Sequence, residues 1–364
     1  MKIAIFGGSF NPIHKGHILV ANDAISLLDL DELYFVPAYK NPFKKINDYV
    51  DVNHRINMIK LAINNPKMKI SDFEAKRIYD SYTIDTVRHF VNKFPNDEIY
   101  LLIGSDNLNS LHKWKDIDDI AKLVKIIIFK RDNFIKHANL KKYNCLLLDN
   151  PIYEFSSTKY RSGDFSQVSE SVQEYIGENC LYFKDIAKSN LSYDRYMHLL
   201  STADMCLQFA KKVYKQDKNM QNNAYLAGLM HDITKEWPID KALNFLKQYG
   251  INQIDEYKIH QTTAFYYLRD VYKFKNSDVL SAIKIHTSLA YEITTLDKIL
   301  YTADKICMGR KFAGVQKLRK LANDSFEKGF AAVVKECGIE FNLAKGITFD
   351  EEQKNIYEKW SKNI

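Results

Sequence analysis

A four-residue apolar run, Ile3-Ala4-Ile5-Phe6, breaks off at Gly7-Gly8, and Ser9-Phe10-Asn11-Pro12-Ile13-His14-Lys15-Gly16-His17 then leads straight into the amphipathic stretch His17–Leu28. A short apolar run bounded by turn residues is the pattern of a strand buried on both faces. Followed at once by an amphipathic helix, it fits the opening of a parallel sheet covered by helices. The glycine pair is expected to turn the chain tightly off the strand. His14 and His17 are expected to open a helix whose free N–H groups attract anions. The result is a triphosphate-binding loop unlike the two common ones. It lacks the Lys-Ser/Thr that follows the last glycine of a P-loop, and the third and sixth positions of a G-x-G-x-x-G turn are here Ser9 and Pro12.

The same alternation continues to about residue 186. Strands are expected at Ile3–Phe6, Leu33–Pro37, Met68–Ser71, Tyr100–Ile103, Lys125–Phe129 and Cys145–Leu148, with covering helices at His17–Leu28, Asn53–Ile63 and Thr83–Phe94. The fold class is therefore α/β, a doubly wound parallel sheet, whose ligands bind where strands end. The histidine loop, Pro37–Lys44, Gly104–Asp106 and the segment around Ser156 all fall at such ends. From about Leu191 the strand-like runs vanish, and helical patterns at Tyr196–Tyr214, Ala224–Met230 and Asp297–Cys307 define a second, all-α domain. The 364 residues exceed one ordinary core, and we expect domains at 1–188 and 189–364 joined by a short, stiff connection, Lys184–Leu191.

Composition narrows the partners. Hydrophobic residues at 46% supply packed interiors, but no run approaches a membrane-spanning helix, and the apolar start is cut too early for a signal peptide. A cytoplasmic protein with no membrane partner is expected. Cys145, Cys180, Cys206, Cys307 and Cys337 form no C-x-x-C pair and read as reduced structural thiols. The net charge of +7 favours phosphate-bearing ligands, and without a basic stripe interleaved with aromatics no nucleic acid is expected. The sequence leaves an oligomer open.

The string G-x-F-x-P-x-H-x-G-H, from Gly8 to His17, resembles the nucleotidyltransferase superfamily. In the adenylyl transfer that this resemblance implies, an attacking phosphate displaces pyrophosphate from an α-phosphorus, and no protein nucleophile is required. The protein has to position two anions and stabilise charge developing on oxygen. His14 and His17 at a helix start, with Lys44 and Arg161 as cations, suit that task, and Mg2+ on the triphosphate completes the neutralisation. Ser81-Tyr82-Thr83-Ile84-Asp85-Thr86, Ile103-Gly104-Ser105-Asp106, Trp114 and Phe155-Ser156-Ser157-Thr158-Lys159-Tyr160-Arg161 then follow in the order found in bacterial nicotinate-nucleotide adenylyltransferase. This resemblance covers residues 1 to about 186. It implies ATP bound by Gly7, Gly8, Ser9, Phe10, His14, His17, Gly104, Asp106, Ser157, Thr158 and Arg161. It also implies nicotinate mononucleotide bound by Lys44, Tyr82, Thr83 and Trp114. A pantetheine-phosphate or cytidylyl transferase shares H-x-G-H, so another phosphate acceptor is the alternative.

The second half carries an H…HD…H…H…D order: His198, His231-Asp232, His260, His286 and Asp304. Imidazoles and carboxylates spread over several helices can converge inside a bundle to hold metals. The order resembles the HD phosphohydrolase superfamily. Arg195-Tyr196-Met197-His198, Leu229-Met230-His231-Asp232-Ile233-Thr234-Lys235, His286-Thr287 and Ala303-Asp304-Lys305-Ile306 are similar to the bacterial subfamily that hydrolyses diadenosine tetraphosphate to two ADP. The resemblance implies one metal held by His198, His231, Asp232 and Asp304. A second would be held by His260 and His286, with Asp232 bridging and taking part in catalysis. Mixed nitrogen and oxygen donors favour iron or manganese. Arg195, Lys235 and Arg310 are the phosphate candidates. Cys307-Met308 and Leu289 depart from the subfamily's pattern, and beyond Arg310 no motif is evident. Hydrolysis of another nucleotide, or a degenerate module for binding or oligomerisation, remains the alternative reading of this half.

Overall fold

The structure is a computed structural model describing residues 1–39, 49–77, 82–133, 135 and 137–362. The chain folds as two compact units, Met1–Ile176 and Gly177–Ile364.

The first unit is built on β1 (Lys2–Gly8), β2 (Glu32–Pro37), β3 (Met68–Ile70), β4 (Glu98–Gly104), β5 (Lys125–Phe129) and β6 (Leu146–Leu147), all parallel, in the order β3-β2-β1-β4-β5-β6. The helices are α1 (Lys15–Leu27), α2 (Val52–Ala62), α3 (Thr83–Lys93), α4 (Ile117–Leu123), α5 (His137–Lys142), α6 (Ser157–Arg161) and α7 (Glu170–Glu178). Period-two alternation decides the packing. Ile3 and Ile5, Tyr34 and Val36, Leu101 and Ile103, and Ile126 and Ile128 face one core with Ile84, Val87 and Phe90 of α3 and Ile117 and Ile120 of α4. Phe6, which alternates with Ile5, packs its ring against those of Phe35 and Phe129 at centroid distances of 5.4 and 5.6 Å. Strand order reverses between β1 and β4, and the crevice beyond their C-terminal ends is where such a sheet takes its ligands.

All six expected strands are present, β5 with the expected bounds and the others with shifted ends. The turn after β1 differs from expectation. Gly7 and Gly8 stay inside the strand, paired with Val36 and Pro37, and the left-handed residue is Phe10, at φ 45°. The buried Phe10 ring packs edge-on to Phe6 and Phe35, so tertiary burial holds a conformation that glycine would adopt freely.

The second unit contains α8 (Phe183–Asn190), α9 (Tyr193–Val213), α10 (Lys218–Met230), α11 (Ile239–Lys247), α12 (Glu256–Tyr266), α13 (Ser277–Ile285), α14 (Thr295–Ile306), α15 (Val315–Asp324), α16 (Phe326–Val333), α17 (Phe341–Ala344) and α18 (Glu351–Ser361). The expected connection Lys184–Leu191 is itself mostly helix, because Phe183, Ile186 and Ala187 form a buried stripe. Gly228 sets the closest approach of α9 and α10. A Cβ there would lie 2.7 Å from the Ala203 Cα, so these two helices meet backbone to backbone. No helix among the described residues is long and apolar enough to cross a membrane.

Candidate active sites

The first site forms beyond β1 and β4. His14 is the N-cap of α1, and its backbone N–H donates to His17 Nδ1 at 3.1 Å. That bond makes Nδ1 of His17 an acceptor, so the proton of the neutral ring sits on Nε2, free to donate. The two rings stack with centroids 3.6 Å apart. Burial, with Arg131 nearby, pushes the His14 imidazole down to about 3, and burial beside His14 holds His17 well below its usual range. Both rings are therefore neutral donors at physiological pH. His14 Nδ1 is buried without a hydrogen-bond partner among the described residues.

Two guanidinium groups fix the loop that carries this pair. Arg55 of α2, 1% exposed, donates Nη1 to the Ser9 carbonyl at 2.7 Å and Nε to the Val50 carbonyl at 2.9 Å. Arg161 of α6 donates to the Asn11 carbonyl, and Ser157 Oγ donates to the Pro12 carbonyl at 2.8 Å. Ser156 caps α6 by accepting from the Lys159 N–H at 3.0 Å, and Thr158 is exposed. Gly7 opens to solvent, whereas a Cβ on Gly8 would strike the Phe10 ring at 2.9 Å. The Ser9 hydroxyl meets the Tyr49 hydroxyl at 3.3 Å.

At the end of β4, Asp106 pairs with Arg131 Nη1 at 3.0 Å, and the Arg131 N–H donates to Ser105 Oγ at 3.0 Å. A Cβ on Gly104 would collide with the Asp106 carboxylate and lie 2.8 Å from Arg131 Cδ. Tyr82 and Trp114 pack, partly buried, against the same core cluster, while Thr83 opens α3 and Lys115 lies over the Tyr82 ring at 4.6 Å. Lys44 and Ser81 lie outside the described residues. Sequence reasoning missed Arg55 and Arg131. The place of Arg131 just past a strand end was a usable signal, whereas nothing local singles out Arg55.

In the helical unit the six expected donors converge. His198 comes from α9, His231 and Asp232 from the end of α10, His260 from α12, His286 from the end of α13 and Asp304 from α14. Their donor atoms form three overlapping groups: His198, His231 and Asp232; His231, His286 and Asp304; and Asp232, His260 and His286. The two Asp232 oxygens face different ways. Oδ2 lies 3.6 and 3.8 Å from Nε2 of His231 and His198, and Oδ1 lies 3.5 and 3.6 Å from Nε2 of His286 and His260.

Backbone carbonyls orient two of the rings. Nδ1 of His231 meets the Gly228 carbonyl at 2.9 Å, and Nδ1 of His286 meets that of Ile283 at 2.7 Å. Each ring therefore directs the Nε2 lone pair into the site. Among the described residues, His231 Nε2 and Asp232 Oδ1 are buried with no hydrogen-bond partner, the state expected of ligand atoms that hold cations. Burial opposes charge on Asp232 and Asp304. Surrounding imidazoles on the first, and Lys305 and His198 on the second, nevertheless hold both well below the usual carboxylate range. Burial also opposes charge on His198, yet its bonds to Asp304 and Cys307 raise it to about 9. The unpartnered His231 Nε2 and Asp232 Oδ1 and the convergence of the donors fit divalent metal, whose binding would displace the proton from His198.

A cavity of about 160 Å³ opens onto these donors, lined by Arg195, Lys235, Lys305, Arg310, Thr287 and His260 with Asp232 and Asp304. Arg195 reaches Asp232 at 2.8 Å, Arg310 and Lys305 reach Asp304 at 2.9 and 2.6 Å, and Lys235 lies 3.1 Å from His260 Nδ1. Four basic side chains thus ring this cavity, three of them paired with the donor carboxylates, and such a lining suits an anionic ligand. Lys305 was passed over in the sequence although it adjoins Asp304. Arg319, which secures the Ile306 and Arg310 carbonyls at 2.8 and 2.9 Å, carried no local signal.

A cytidylyltransferase-like family model matches residues 5–163, and an HD domain model matches residues 195–309. Fold and site together define a nucleotidyltransferase sheet followed by a helical, divalent-metal-binding HD domain. The chain is 34% identical over 310 residues to the probable nicotinate-nucleotide adenylyltransferase/Ap4A hydrolase of Mycoplasma pneumoniae, spanning 83% of this chain and 87% of that one. The protein of the same description from Mycoplasma genitalium is 31% identical over 347 residues, 92% of this chain and 97% of that one. Nicotinate-nucleotide adenylyltransferase of Bacillus subtilis is 39% identical over 188 residues, half of this chain but 98% of its own length. The chain belongs to the nicotinate-nucleotide adenylyltransferase/Ap4A hydrolase family.

Proposed function

We propose that residues 1–188 transfer the adenylyl group of ATP to nicotinate mononucleotide, giving deamido-NAD and pyrophosphate, and that residues 189–364 hydrolyse diadenosine tetraphosphate to two ADP. The observation that carries the first activity is the neutral, stacked His14 and His17 pair at the crevice of the sheet. An oxygen of the mononucleotide phosphate attacks the α-phosphorus of ATP, and the bond to the pyrophosphate oxygen breaks. His17 Nε2–H donates to oxygens that gain charge, with His14 beside it. Arg161, Ser157 and Arg55 keep the loop in register, Asp106 receives the ribose hydroxyls, and Trp114 offers its half-buried face to the nicotinate ring. ATP arrives with Mg2+. The Bacillus subtilis relative, matched over 98% of its own length by half of this chain, supports a transferase of this length.

The second activity rests on the six converging donors. His198, His231, Asp232 and Asp304 would hold one divalent ion, and His260 and His286 a second, with Asp232 shared. Iron or manganese suits these donors, which include no thiolate. Two bound divalent ions supply Lewis acidity and lower the pKa of water. Arg195, Lys235, Lys305 and Arg310 grip the phosphates and hold the central linkage still. Water adds to one inner phosphorus, the bridging P–O bond breaks, and each half leaves as ADP.

Full-length protein given diadenosine tetraphosphate with Mn2+ or Fe2+ is expected to yield ADP alone. AMP with ATP, or no product, would overturn the hydrolytic assignment. Given ATP and Mg2+, it is expected to release pyrophosphate only when nicotinate mononucleotide is present. Release at the same rate without the mononucleotide would overturn the other assignment.

A further inference from the structure

The matched HD segment ends at residue 309, yet the helix that grips its metal-facing loop comes much later in the chain. His286 ends α13, and the chain then bends through Thr287, Ser288 and Leu289, the last in the left-handed region at φ 59° and 3% exposed. A branched-chain residue held there carries strain unless its surroundings fix it. The surroundings are α12 and α18. Gln261 of α12, next to His260, accepts from the N–H groups of Thr287 and Ser288 at 2.9 and 3.2 Å.

On the other side α18 takes the carbonyls in sequence. Tyr357 donates its hydroxyl to Thr287 at 2.9 Å, Gln353 Nε2 donates to Ser288 at 2.6 Å, Trp360 Nε1 donates to Ala290 at 2.8 Å, and Lys359 donates to Tyr291. Gln353 and Tyr357 are each 2% exposed. Tyr257 of α12 closes the frame by donating to Gln353 Oε1 at 3.2 Å. The segment so held delivers two groups to one half of the donor cluster: His286 itself, and the Thr287 hydroxyl, 3.0 Å from His260 Nε2.

We propose that α18, through Gln353 and Tyr357, is a positioning element for the His260 and His286 half of the hydrolytic site. The inference rests on the two-ion reading given above. Among the described residues no bond of this ladder reaches His198, His231 or Asp304 directly, so loosening it acts first on the His260 and His286 half, although the His286 donor atom also lies within 4.8 Å of those of His231 and Asp304.

The test uses full-length protein carrying Gln353→Leu with Tyr357→Phe, and Tyr357→Phe alone as a variant that removes a single oxygen. Mn2+ affinities are measured by competition with a chelating dye, and the ions by electron paramagnetic resonance. Wild type is expected to bind two Mn2+ as a spin-coupled pair. The double variant is expected to keep the first affinity while the second weakens by about 10–100-fold, leaving a mononuclear signal, with the single variant shifted the same way. If both affinities fall together, α18 is general scaffold, and if neither changes, its grip is irrelevant. Either result overturns the proposal. Fewer than two Mn2+ in wild type would overturn the two-ion reading and this inference with it.

Discussion

At the scale of single residues, burial decides the charge state of the imidazoles that face the sheet's crevice. His14 is held down to about 3, against 6.5 for a free imidazole, mainly by desolvation. In the unfolded chain the ring takes a proton as pH falls through 6.5, and in the folded chain it does so only near 3. Its contribution is therefore intact above 6.5 and is lost progressively as pH drops toward 3. Urea unfolding followed between those limits should show stability rising with pH, with up to about 1.4 kcal/mol per pH unit from this group. His14→Gln should flatten that part of the slope. An unchanged slope would mean that the ring is not desolvated in the native state.

At the scale of elements, the packing of α9 on α10 brings His198 and His231 to a centroid separation of 5.3 Å. Gly228→Val should force the two backbones apart at Ala203, destabilising the fold by about 1–3 kcal/mol. Metal affinity and hydrolysis should fall much further than stability does, measured by dye competition and ADP release. Elements were legible in the sequence where one face or both are buried. The strands around Ile3–Phe6 and Lys125–Phe129 are continuous apolar runs because helices cover the sheet on both sides. The metal-facing histidines were legible because His231-Asp232 stands in an H…HD…H…H…D order with His198, His260, His286 and Asp304, whereas a His-Asp dipeptide alone would say little. What escaped depends on distant partners. Nothing near Arg55 says that its guanidinium will seize the Ser9 carbonyl, 46 positions away. Likewise, nothing near Gln353 announces a bond to Ser288. Gly7-Gly8 misled for the converse reason: the composition invited a turn, and pairing with Val36 and Pro37 kept the strand going.

At the scale of the whole molecule, each compact unit carries its own chemistry, and the metals proposed for the two differ. Treatment with a strong chelator should abolish both activities. Restoring Mg2+ should return adenylyl transfer, whereas hydrolysis should return only with Mn2+ or Fe2+. Saturation at about a hundred times the dissociation constant should add about 2.7 kcal/mol to the unit that binds the ion. Hydrogen exchange should place that protection in α9, α10, α12, α13 and α14 and leave β1, β2 and β4 unchanged; uniform protection would contradict it.

The helix α8 has a bearing on any attempt to dissect the protein. Its Phe183 ring meets Tyr272 edge-on at 5.3 Å, and the Tyr272 hydroxyl donates to the Leu181 carbonyl at 2.8 Å. Severed after residue 188, the sheet fragment would inherit a greasy tail with nowhere to dock, and the helical fragment would be left with an empty socket around Tyr272. The two pieces would not be equally well behaved in solution, and the aggregation would trace to the location of the cut.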